Sequence, residues 1–136
     1  MNVKRLAMGV IAAWVVSIIL GYVVNEILLK GLFEANAAAF RPEAELMANL
    51  PVGFGFMLLG FCVFGYMYVK GYEGGSGVGE GARFGAMVGV LLSVLSVNWI
   101  WATMPISVTL AAAMMIDYVV EYAIYGAIIG GLYRKA

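Results

Sequence analysis

Four apolar stretches divide this chain, at about residues 4–29, 51–70, 82–103 and 105–132. A hydrocarbon layer about 30 Å thick takes roughly 20 helical residues at about 1.5 Å each, and every stretch reaches that length. Within lipid, each backbone N–H and C=O needs a partner from the protein itself, so a span is a helix or part of a closed barrel. No alternating strand pattern accompanies these stretches. The expectation is an all-α integral membrane four-helix bundle, a single transmembrane domain over residues 1–136. Composition agrees: 64% of residues are hydrophobic and 12% charged, against about 45–50% and 25% in soluble domains.

Several function classes fall away at once. The chain has no histidine and one cysteine, Cys62, which rules out an internal disulfide, Cys/His zinc sites and haem held by two histidines. Net formal charge is zero and no basic block gathers, so nucleic acid is not an expected partner. GGSGVGEG, residues 74–81, lacks the lysine of a phosphate-binding loop and follows no strand. It reads as part of a flexible hairpin. No cofactor, metal site or catalytic residue is expected. Cys62 lies within a span as an inert thiol.

Lysine and arginine at the connections set the expected orientation. Lys4, Arg5, Lys70, Arg83, Arg134 and Lys135 fall on one side, and Lys30 and Arg41 on the other. The richer side is expected to be cytoplasmic, with both termini and the glycine-rich loop. The loop over residues 30–50 then faces outward. The basic pair before the first span, with Ala35-Asn36-Ala37 beyond it, mimics a signal peptide. That apolar run exceeds the roughly 7–15 residues of a signal core, so it reads as a first transmembrane helix. Trp99, Trp101 and Tyr133 sit where interfacial anchors are expected. In the outer loop, Pro42, Glu43 and Glu45 followed by Leu46, Met47 and Leu50 predict a short amphipathic helix lying on the membrane, with Pro51 opening the second span. RLAMGV (5–10) and RFGAMVGV (83–90) are alike, a short hint of an internal repeat.

Small residues recur every fourth position. Gly9, Ala13, Ser17 and Gly21 line the first span, Gly81, Gly85, Gly89 and Ser93 the third, and Gly126 and Gly130 the fourth. In lipid, helices associate by close backbone approach and interhelical hydrogen bonds, which such faces permit. They serve packing within one subunit or self-association.

Polar residues at membrane depth carry the remaining information. Asp117 and Glu121 share one helix face near the middle of the fourth span. A lone charge there costs on the order of 2.5–3.5 kcal/mol on insertion scales, and two like charges one turn apart repel. The cost is offset by a shared proton, by water or by Arg83, if the third and fourth spans are neighbours. Tyr118, Tyr122 and Tyr125 add hydroxyls nearby, and Asn98 lies with Arg83 opposite the glycine stripe. Asn25 and Asn98 sit at similar depth and are candidates for a cross-helix bond. Asp117, Glu121, Arg83, Tyr118, Tyr125 and Asn98 form the candidate polar or ion site.

YVKGYEGG, EGARFGAMVG and ATMPIS, with RPEAELM before them, resemble a family of small uncharacterised four-span bacterial integral membrane proteins. The likeness covers about residues 41–110 and implies the fold and the topology; the expected location is the cell inner (plasma) membrane, multi-pass. The likeness implies no activity. The expected function is a non-enzymatic assembly module in the lipid bilayer, a homo-oligomer or an accessory subunit of a larger membrane complex. The alternative is a small oligomeric proton- or cation-coupled transporter or channel using Asp117 and Glu121.

Overall fold

A computed structural model describes residues 1–133. Arg134 and Lys135, two of the basic residues behind the expected orientation, lie outside the described residues. The helices are α1 (Val3–Leu28), a short α2 (Lys30–Ala35), α3 (Glu43–Lys70), α4 (Gly77–Thr103) and α5 (Val108–Tyr133). All but α2 are long and apolar enough to cross a membrane. Among the described residues there is no strand. Local capping marks the starts. Asn2 Oδ1 accepts from Arg5 N–H (3.1 Å), Ser76 Oγ from Gly79 N–H (3.3 Å) and Ser107 Oγ from Leu110 N–H (3.1 Å), each meeting a backbone donor that the helix itself leaves unpaired.

The closest pairing is α4 with α5, and it is made by glycine. A methyl group on Gly81 would strike the Gly126 carbonyl, and one on Gly85 the Tyr122 carbonyl. On Gly89 it would lie 2.7 Å from the Tyr118 carbonyl oxygen. The reverse holds for Gly126 against Gly81 and for Gly130 against Gly77. The two backbones therefore touch over several turns, an approach no larger residue allows.

Helix α1 packs on the same partner. A methyl on Gly9 would sit 3.2 Å from Ile129 Cα, Ala13 is fully buried, and Asn2 N–H donates to Tyr133 Oη at 3.3 Å. Helix α3 lies against α1 through Gly65, which faces Val10 and Leu6, and through Trp14, whose Nε1–H donates to the Phe54 carbonyl at 3.0 Å. Most of the small-residue faces are thus used inside one chain. Gly21 is the exception, with open space beside it.

Two apolar cores result. One, nearer the termini, joins Val10, Ala13, Phe61, Phe64, Tyr125 and Ile129. The other, at the far end, joins Val97, Ile106, Leu110 and Ala111 under Leu32, Phe33 and Phe40 from the first connection. Asn36 pins that connection: its Oδ1 accepts from Ser107 N–H at 2.7 Å and its Nδ2 donates to the Leu32 carbonyl at 2.7 Å.

Several expectations change. The helix expected over residues 42–50 is not separate, because α3 runs unbroken from Glu43 and encloses Pro51. Proline there removes the N–H that would bond the Met47 carbonyl, yet an interior proline is tolerated in an apolar spanning helix where neighbours re-satisfy the backbone. Helix α4 likewise starts at Gly77 rather than about residue 82, and α5 at Val108 rather than about 105. The glycine-rich turn is organised: Glu80 accepts from Glu73 N–H (2.6 Å) and Gly75 N–H (2.9 Å), and Gly74 takes φ +88°. Asn25 and Asn98 do not meet; both are exposed, and Asn25 Nδ2 donates to the Gly21 carbonyl of its own helix at 2.8 Å. Tyr133 turns inward against Tyr68 and Tyr72 instead of outward as an anchor.

Two outcomes are expected. Gly85→Ala forces the α4 and α5 backbones apart and lowers stability by about 1–3 kcal/mol or more, read by reversible unfolding in mild detergent. Gly60→Ala, at an open position, leaves it unchanged. Glu80→Ala frees the turn, so hydrogen exchange at the Glu73 and Gly75 amides rises while exchange in the spanning helices stays as it was.

Candidate functional site

The acids stand on the middle of α5, whose apolar residues otherwise suit lipid. Four residues of helix turn the chain by about 400°, so positions 117, 121 and 125 follow one another along a slowly drifting stripe. Asp117 and Glu121 are half-buried, and Tyr125, one turn further toward the C-terminus, is 3% exposed. The Tyr125 hydroxyl donates to Glu121 Oε2 at 2.9 Å. Glu121 Oε1 is buried without a hydrogen-bond partner among the described residues. Asp117 makes neither a hydrogen bond nor an ion pair among the described residues.

Aromatic rings hold this stripe in place. Phe61 meets Tyr125 edge to face with centroids 5.1 Å apart, and Phe64 meets Tyr122 at 5.7 Å. Tyr118 and Tyr122 stack nearly parallel, 6.0 Å apart with an interplanar angle of 11°. The Tyr125 ring cannot swing away from Glu121 without losing its contacts with Phe61 and, at 5.5 Å, with Tyr122, each worth about 0.5–1.5 kcal/mol beyond its area burial. Glu121 is therefore presented by a rigid neighbour.

Of the candidate residues, the structure brings together Asp117, Glu121, Tyr118 and Tyr125. It does not bring Arg83 or Asn98 to them. Helix α4 turns Gly81, Gly85 and Gly89 to α5, and Arg83, two residues from both Gly81 and Gly85, lies about 200° around the helix from each. Arg83 and Asn98 are exposed on the opposite side. The guanidinium that was expected to offset the acids in the same subunit points away from them. Of the residues expected to pack, Gly9, Ala13, Ser17, Gly81, Gly85, Gly89, Ser93, Gly126 and Gly130 are all buried. The Ser17 and Ser93 hydroxyls are spent within their own helices, on the Trp14 and Val90 carbonyls at 2.6 and 2.9 Å.

Other features were not visible beforehand. Phe61 and Phe64 floor the acid stripe, and only their apolar type hinted at burial. Helices α1 and α4 each carry a π turn, Val24–Leu28 and Ser93–Val97, for which no sequence signal stands out. Among the described residues, no three His, Cys, Asp or Glu side chains gather where they could hold a metal ion. A groove at the terminal end, lined by Asn2, Lys4, Arg5, Met8, Gly131 and Leu132, does not include the acids. No family model, curated protein or solved structure matches this chain.

The Tyr125–Glu121 bond is open to test. Tyr125→Phe strips Glu121 Oε2 of the phenol donor and costs about 1–3 kcal/mol. In the Glu121→Leu background, where no acceptor remains, the same change costs less. A double-mutant cycle by unfolding in detergent reads the difference.

Proposed function

We propose that this protein is a non-enzymatic membrane subunit whose acid-bearing side of α5 is completed by another membrane-embedded chain, either a second copy or a larger complex. One observation carries the reading: the half-buried Asp117 carboxyl makes no hydrogen bond or ion pair among the described residues, and the basic candidate in the same spans faces away. Polar groups inside lipid are costly alone and promote helix association when a partner satisfies them. The small-residue faces support this indirectly, since their use within the subunit leaves polar contact as the driving force for assembly. The resemblance to small four-span bacterial proteins, and the excess of basic residues at the terminal end, favour an inner membrane with both termini cytoplasmic.

A second reading, a proton- or cation-coupled transporter, is favoured by one further feature. Tyr118, Tyr122 and Tyr125 set phenol groups beside the two carboxyls along a single helix. Those groups suit relay or coordination of a small cation.

Purification from native membranes in a mild detergent, followed by mass measurement and identification of co-eluting chains, separates the possibilities. Assembly predicts a particle heavier than one protein chain plus its detergent. It also predicts that Asp117→Asn with Glu121→Gln leaves the subunit folded but shifts the particle toward monomer. Transport predicts pH-driven flux in proteoliposomes that the same double variant abolishes. A wild-type monomer without flux refutes both.

A further inference from the structure

We infer that the groove at the terminal end binds the headgroup phosphate of an anionic phospholipid, with Lys4 and Arg5 as its cations. The site is independent of whether the subunit assembles. It lies between the start of α1 and the end of α5, lined by Asn2, Lys4, Arg5, Met8, Gly131 and Leu132. Its volume is about 490 Å³, within the roughly 300–1,000 Å³ of small-molecule sites.

Depth selects the occupant. The spanning helices begin or end at this level, at Val3, Lys70, Gly77 and Tyr133. Asn2 N–H donates to Tyr133 Oη and the Tyr133 ring meets Tyr68, which ties α1, α3 and α5 together there. From Leu6 onward, α1 carries no charged residue until Glu26. Lys4 and Arg5 therefore stand where hydrocarbon gives way to headgroups, the level of lipid phosphate.

The lining matches both parts of such a lipid. On the water side, two cations and the Asn2 amide offer donors to an anion, and no acidic side chain is among the lining residues. Lys4 is exposed and makes no hydrogen bond or ion pair among the described residues, so its ammonium is open to a ligand. On the membrane side, Met8 and Leu132 are apolar yet 51% and 40% exposed. Val15, two turns further along the same side of α1, continues that track toward the bilayer centre. A phosphate that carries acyl chains covers this wall, whereas a free phosphate leaves it bare.

Native mass spectrometry of the full chain in mild detergent, titrated with phosphatidylglycerol or phosphatidylcholine, tests this. The expected result is phosphatidylglycerol bound about thirtyfold more tightly, about fivefold for each basic residue at a membrane surface. Lys4→Gln removes about fivefold of that preference, and adding Arg5→Gln removes the rest. Met8→Trp fills the groove without changing its charge and weakens phosphatidylglycerol binding as well. Lys70→Gln, at the same end but outside the groove, leaves it unchanged. Circular dichroism checks that each variant keeps its helices; if Arg5→Gln does not, Lys4→Gln and Met8→Trp decide the matter. Equal affinity for the two lipids, a preference lost as fully with Lys70→Gln, or one that Met8→Trp leaves intact overturns the site. Displacement of the lipid by inorganic phosphate at matching concentration overturns it too, assigning the groove to a soluble anion.

Discussion

Helices α4 and α5 touch backbone to backbone, and the arrangement of the rest of the bundle is built around that contact. Between helices in lipid there is no hydrophobic effect to draw on, so attraction comes from dispersion at short range and from polar contacts. Gly81, Gly85 and Gly126 bring main-chain atoms within reach of one another where any Cβ would collide. With that pair as a base, α1 adds its own small face at Gly9 and Ala13, and α3 follows through Gly65 and Trp14.

The same contact decides where the charges go. A helix that turns its glycines to one neighbour turns the residues between them away, and Arg83 lies between Gly81 and Gly85. Close packing and an internal Arg83–Glu121 pair are therefore mutually exclusive on this helix. What remains is a subunit with a base on one side and acids on another. Tyr125 satisfies one oxygen of Glu121, and the second is enclosed in the subunit without a partner among the described residues.

Much of this was legible in the residues. Hydropathy located four spans because lipid imposes length and apolarity so strictly, and the four-residue spacing of small side chains marked the faces that pack. Less legible was what each face meets, since periodicity gives a direction on a helix but not its neighbour. Arg83 was thus a reasonable candidate partner for Glu121 until the helices were paired. Pro51 misled for a related reason. Its local rule ends helices in water, whereas an apolar context lets α3 continue through it from Glu43 to Lys70. The Glu80 clamp on the glycine-rich turn and the Asn36–Ser107 bond depend on contacts that composition alone does not encode.

The most direct measurement is solid-state NMR on the protein in lipid bilayers, with carbon-13 placed in glycine and tyrosine and the labelled protein diluted into unlabelled copies. Cross-peaks linking Gly81 to Gly126 and Gly85 to Tyr122, undiminished per labelled molecule on dilution, are the result expected if the glycine faces close inside one subunit. Cross-peaks that fade in proportion to dilution would assign those faces to contacts between copies, and the account of both the fold and the unpaired charges would then be wrong.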